Sequence, residues 1–317
     1  MRKRNWIIIA AVAVIGGAAA GGVLYRNKQN DSSLAGTNHS KMTMANTSSK
    51  YALNLMSGKT YSSSGPTMLH FAIEQNGKSF KGFQIDSTKL MHLIVVRKDR
   101  SNFQHVHPEY DSSTGMFMMS NFTFPTDGDY SVFANFAPTD AKKDMMGMLE
   151  TEAPYVDVKV GNTSKVASQP LGADKLTSTA NGITTAITMP PGGDSAGSST
   201  QMPSFYAGTD GTVNIDVTKN GTSFTNLQEY LGSLGHMVVL GPNLEFIHAH
   251  PMLGDVSNQT GYIPFMITFP TSGQYKLYLQ TQADNIVNTT DFNVTVNEVP
   301  RSSSGADNSM QGMDMSH

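Results

Sequence analysis

The first half of this chain returns as a second copy 144 residues on (His92 to His236), and that duplication limits the fold more than any other feature. Asn76-Gly77-Lys78-Ser79-Phe80 comes back as Asn220-Gly221-Thr222-Ser223-Phe224, and Leu93-Ile94-Val95-Val96 as Met237-Val238-Val239-Leu240. Phe124-Pro125-Thr126-x-Gly128-x-Tyr130 comes back as Phe269-Pro270-Thr271-x-Gly273-x-Tyr275. The offset moves only between 143 and 145 (His105 to His248, Tyr130 to Tyr275), so the copies differ by single residues in their loops. Whatever one copy folds into, the other must fold into as well.

Each copy reads as short strands. Phe71 to Gln75 runs into Asn76-Gly77, a dipeptide that favours two-residue hairpin turns because both positions tolerate positive φ. Tyr130-x-Val132-x-Ala134-x-Phe136 and Val156-x-Val158-x-Val160 alternate with the period of a half-buried strand. A Gly two residues before the Tyr that opens a strand fits the tyrosine corner of Greek-key sandwiches. Charged residues make up 15% of the chain, too few for exposed helices, whereas Gly, Ser, Thr and Asn are plentiful. The expected fold is all-β, two tandem Greek-key sandwiches of immunoglobulin-like or cupredoxin-like type, behind an N-terminal transmembrane helix. The expected order is an anchor over 1–28, a disordered Met/His linker over 29–49, domain one over 50–160, a linker over 161–177, domain two over 178–298 and a disordered Met-rich tail over 299–317.

The anchor rests on Arg2, Lys3 and Arg4, followed by the uncharged 20 residues Trp6 to Tyr25 and then Arg26 and Lys28. About 20 apolar residues span a hydrocarbon core as a helix, and the basic N-terminus orients it N-inside. Both domains are therefore expected on the extracytoplasmic side of the cell membrane. The alternative is secretion after cleavage at the small residues Ala18-Ala19-Ala20. With no cysteine there is neither a lipidation site nor a disulfide framework. The net charge of −3 gives no reason to expect nucleic acid as a partner.

Histidine usage carries the functional expectation. Seven of the nine histidines are His70 and two repeated sets, His92-x12-His105-x-His107-Pro108 and His236-x11-His248-x-His250-Pro251. Alternate residues of a strand share a face, so His105 and His107 point the same way, as do His248 and His250. A short hairpin turn brings His92 opposite His105, or opposite His107 after a two-residue shift; His236 is expected opposite His248. Directly opposed Cβ atoms stand about 4.5–5.5 Å apart, close enough for three imidazoles to converge. The plainer account makes each His a hydrogen-bonded strand residue with no ligand.

Imidazole suits copper and zinc, and thioether sulfur favours Cu(I). Twenty methionines include Met116/Met118/Met119, Met145/Met146/Met148 and the tail Met310-x-x-Met313-x-Met315-x-His317, and His39 precedes Met42 and Met44. Methionine in a polar tail has no core to fill, so these tails are expected to collect copper. Met116, Met118 and Met119 are expected to fill gaps in packing. His70 is a candidate extra ligand; Asn214 aligns with it in copy two. The expected metal ligands are therefore His92, His105, His107, His236, His248, His250, Met310, Met313, Met315 and His317, with copper as the ion and zinc as the other that imidazoles would take.

The blocks HLIVVRKDRSNFQHVHP and GHMVVLGPNLEFIHAHP, each followed by FPTxGxY, resemble a family of exported bacterial HxHP-module proteins, mostly uncharacterised, that often carry Met/His-rich tails. The resemblance covers about 45 residues of each copy and implies a β-sandwich and extracytoplasmic heavy-metal or copper handling. A blue-copper site is excluded by the missing Cys thiolate. A cupin would place a Glu three or four residues after HxH, but Glu109 follows His107 by two and copy two has no equivalent acid. FQHVHPEYD is locally similar to copper–zinc superoxide dismutase, whose bridging His and zinc-loop ligands have no counterparts here. No Ser/His/Asp signature, P-loop or dinucleotide fingerprint occurs, so no enzyme is expected. The expected function is sequestration, buffering or delivery of copper by a membrane-anchored exported protein; the alternative is a non-catalytic adhesion or assembly module with structural histidines and an unidentified protein partner.

Overall fold

The computed structural model describes residues 50–300 apart from 145–146, 166–168, 190–202 and 253–259. The expected anchor, the Met/His linker and the Met-rich tail lie outside the described residues. No helix among the described residues is long and apolar enough to cross a membrane. The described chain is all-β apart from one 3-10 turn at Thr163–Lys165.

Each copy forms two facing sheets. In copy one, Tyr51–Leu55, Thr67–Gln75, Met116–Phe122 and Glu109–Asp111 lie side by side, with Lys78–Ser79 also paired to Thr67–Gln75. The second sheet runs Thr60–Tyr61, Tyr155–Val160, Gly128–Asn135, His92–Arg97, Gln104–Val106. Copy two repeats that second sheet as Phe205–Tyr206, Ile286–Asn297, Gly273–Ala283, His236–Leu240, Phe246–Ala249. Period-two alternation puts Phe71, Ile73, Leu93, Val95, Val132, Val156 and Val158 into the core between the two sheets of copy one. Ile215, Val217, Met237, Val239, Leu277 and Val294 do the same in copy two.

The repeated turn residues act alike in both copies. Asn76 and Gly77 have φ of 52° and 73°, Asn220 and Gly221 53° and 75°, as a hairpin turn with two left-handed residues requires. Tyr130 and Tyr275 each donate a hydroxyl hydrogen bond to the carbonyl four residues upstream, Thr126 and Thr271, at 2.9 Å in both. Gly128 and Gly273 have φ of 142° and 134°, and a Cβ at either would press on Arg97 or Pro242 across the sheet.

The second sheets of the two copies also pack on each other through their outer faces. Ile94, Val96, Phe133 and Ala153 of copy one form one buried cluster with Val238, Leu240, Phe246 and Tyr278 of copy two. Phe133 stacks on Phe246 with centroids 5.0 Å apart, and Phe103 on Tyr278 at 4.3 Å. Arg100 donates to the carbonyl of Gln274 at 2.6 Å, and the Tyr278 hydroxyl donates to the carbonyl of Arg100, also at 2.6 Å. This packing explains why Leu93–Val96 and Met237–Leu240 are unbroken apolar runs: both faces of each strand are covered.

Candidate metal centre

The two hairpins that carry the histidines turn in the same way. Residue 97 donates its N–H to the carbonyl of Ser101 while Arg100 donates back to Arg97; Gly241 with Glu245, and Leu244 with Gly241, repeat the pattern. Arg100 and Leu244 take the left-handed position that closes such three-residue loops, at φ of 67° and 60°. Copy one has one residue more on the returning strand. Asn102, at φ 53°, absorbs it as a bulge, after which Val95 faces Gln104 and Leu93 faces Val106. In copy two Val238 faces His248 and Met237 faces Ala249.

This register corrects the expected one. His236 is not opposite His248; the ladder carries it on to face His250, just as His92 faces His107. In copy two the three-residue loop covers 242–244 instead of 241–243, which moves the pairing by two; in copy one the loop over 98–100 moves it by one and the Asn102 bulge by one more. Because the shift is even, every histidine keeps its face. His105 and His248 then stand diagonal to His92 and His236. In both copies all three rings come together: one ligand atom from each of His92, His105 and His107 lies within 4.8 Å of the others, and the same holds for His236, His248 and His250.

Hydrogen bonds fix which nitrogen of each inner ring is free. The Nε2 of His92 is 3.1 Å from the Asp86 carbonyl and that of His236 is 2.9 Å from the Tyr230 carbonyl. A carbonyl only accepts, so both Nε2 atoms carry the proton and both Nδ1 atoms keep a lone pair. The Nδ1 of His248 is 2.8 Å from Asn135 Oδ1, whose amide is oriented by donation to the Glu152 carbonyl at 3.2 Å. The Nδ1 of His105 is 2.7 Å from Gln280 Oε1, whose NH₂ donates to Thr289. His105 and His248 therefore present bare Nε2 atoms.

Two bare nitrogens now face each other in each copy. His92 Nδ1 and His105 Nε2 are 3.0 Å apart, and His236 Nδ1 and His248 Nε2 are 3.4 Å apart. Lone pair against lone pair repels unless a cation lies between them. A proton is disfavoured, because burial lowers His92 to about 4 and His105, His236 and His248 well below the ordinary imidazole value. A metal with bonds of about 2.0–2.1 Å in tetrahedral geometry sets its ligand nitrogens roughly 3.3 Å apart. The donor set fits such an ion. His107 adds a buried Nε2 with no hydrogen-bond partner, and burial and the neighbouring His92 lower that ring to about 3. His250 Nε2 instead lies 3.0 Å from the Ser87 hydroxyl of copy one.

The other sequence-predicted ligands do not join this cluster or lie outside the described residues. His70 sits on Thr67–Gln75 in the opposite sheet of copy one, paired with Met118. Met116 and Met118 share that strand pair, and Met119 packs against the core. Met310, Met313, Met315, His317, His39, Met42, Met44, Met145 and Met146 are outside the described residues. Sequence reasoning missed Asn135 and Gln280, the amides that orient His248 and His105. Their signal was present: both fall five residues after the repeated tyrosine, and they pair with His92 and His236 across the strands.

No curated protein matches the chain in sequence. Among solved structures it is similar to a Salmonella alpha-2-macroglobulin reacted with methylamine, at 10% identity over 82% of this chain and 15% of that one, TM-score 0.24. It is also similar to the BSP domain of a biofilm associated protein (11% identity, 80% of this chain, 30% of that one, TM-score 0.21) and to a marsupial T cell receptor (9%, 76%, 94%, 0.21). The chain spans less than a third of the first two, and likeness of this degree bears on neither fold nor function. The model of one family, described as domain of unknown function DUF8832, matches residues 45–151 and 196–298, about two thirds of the chain. The chain thus belongs to the DUF8832 family and carries its domain twice.

Proposed function

We propose that this protein holds transition-metal ions, copper foremost, in the two histidine triads between its sandwiches. The observation that carries this reading is the pair of inward-facing lone pairs in each copy, His92 Nδ1 with His105 Nε2 and His236 Nδ1 with His248 Nε2, each ring locked by an outward N–H. A purely structural histidine pair would donate one to the other. Three neutral nitrogens leave a fourth position open on a tetrahedral ion. Imidazole alone also suits zinc; the thioethers of Met310, Met313 and Met315 with His317 argue for copper, which that tail would collect and pass inward. On this reading the protein buffers, sequesters or delivers the ion without catalysis. The basic flank and uncharged span at residues 2–28 support an exported, membrane-anchored placement.

Elemental analysis of protein purified without chelating resins tests the reading. Up to two ions per chain are expected, copper in excess of zinc. His105→Ala with His107→Ala should remove one of them while the circular dichroism stays that of a β protein. Metal-free protein that binds neither ion in titration would return the histidines to a structural role in an adhesion or assembly module.

A further inference from the structure

Rings of the two triads come nearly as close to each other as rings within one triad. Inside the triads, centroids stand 4.7 to 5.5 Å apart. Between them, His92 is 5.1 Å from His248, His105 is 5.7 Å from His248, and His236 is 6.4 Å from both His92 and His105. The four inner rings thus form one continuous group, with His107 at one end and His250 at the other. Second-sphere contacts cross in both directions: Gln280 of copy two orients His105, and Asn135 of copy one orients His248. Ser87 of copy one also reaches His250 of copy two.

Charge adds a second argument. Neither triad contains a carboxylate or thiolate, so every protein ligand is neutral. Two divalent ions in a buried, low-dielectric site would repel strongly, and nothing among those ligands offsets them. An anion held between the ions, in the positions the triads leave open, would compensate both at once.

We infer that the two triads form one dinuclear centre, spanning the interface between the copies, whose ions share a small bridging anion such as hydroxide. This inference rests on the metal-binding reading above and adds nuclearity and an exogenous ligand class to it. A centre of this kind couples its two ions, whereas two separate sites would fill and behave independently.

The test is electron paramagnetic resonance on the full chain loaded with two equivalents of Cu(II), with azide as the probe for the bridging position. The expected result is two bound coppers with most of the signal quenched, or a half-field transition from the coupled pair, and a spectrum that changes on adding azide. His250→Ala should leave one copper and bring back the signal of an isolated ion. Two bound coppers that give a full, uncoupled spin count would overturn the dinuclear centre and leave metal binding intact. A single bound copper in the unsubstituted chain would overturn it too. A coupled pair that ignores azide would overturn the exchangeable bridge. No bound copper at all would instead defeat the reading on which the inference rests.

Discussion

Asn135 and Gln280 show how a residue outside the histidine triads can set which nitrogen a triad presents. Each offers only an amide oxygen, yet that oxygen sets the tautomer of a triad histidine on the other copy. Such partners of metal-ligating histidines usually contribute 10–100-fold to affinity. Gln280→Leu is therefore expected to weaken binding at the His92/His105/His107 triad by about that factor, as read by competitive titration, with little change in the circular dichroism. An unchanged affinity would remove the tautomer argument. Acid should act through the same rings. Burial holds His92 and His250 near 4 and His107 near 3, so in metal-free protein the unfolded chain takes up protons first. Stability should be level above the unfolded imidazole value of about 6.5, fall as pH drops below it, and go on falling towards pH 4. Thermal melting across that window checks the sign; a protein that grew more stable on acidification would contradict it.

Strand elements were the most legible part of the sequence. Alternation, the Asn-Gly turns and the repeated tyrosine each act through local backbone geometry, and local geometry is what spacing encodes. The face shared by His105 and His107 was readable for the same reason. Register was not, because it depends on how a loop closes: Arg100 and Leu244 at positive φ make three-residue loops, and Asn102 absorbs the extra residue of copy one. Copy two manages without that residue. Deleting Asn102 should then preserve the triad and its metal affinity, with a modest loss of stability from its contacts to Thr126 and Tyr130. Inserting one alanine between Asn102 and Gln104 should do the reverse if the strand slips by one, since such a slip sends every side chain to the opposite face. Metal titration of the two variants side by side separates a register-defined site from a set of histidines that gather by flexibility.

Docking of the two copies was the least legible feature, although Leu93–Val96 and Met237–Leu240 carried a trace of it. Four successive apolar residues say that both faces of a strand are covered, but no pattern within one copy says what covers the second face. Here it is the other copy, through Phe133 against Phe246 and Phe103 against Tyr278. Each sandwich has its own core, so each should fold alone while exposing an apolar face that seeks its partner. Fully burying one such side chain contributes about 1.5–3 kcal/mol, and a charge placed there without a partner opposes docking by more than that. Phe246→Asp therefore ought to separate the sandwiches while leaving both inner cores in place. Neither Phe133 nor Phe246 is a ligand, yet the variant is expected to lose affinity at both triads, because His105 and His248 lose their orienting amides together. Phe246→Leu, which keeps the face apolar, should retain most of the binding. Metal titration alongside proteolysis of the linker between the copies reads both effects. Triads that bind equally well in opened and docked protein would show that each copy builds its site alone, and the interface would then have no part in metal binding.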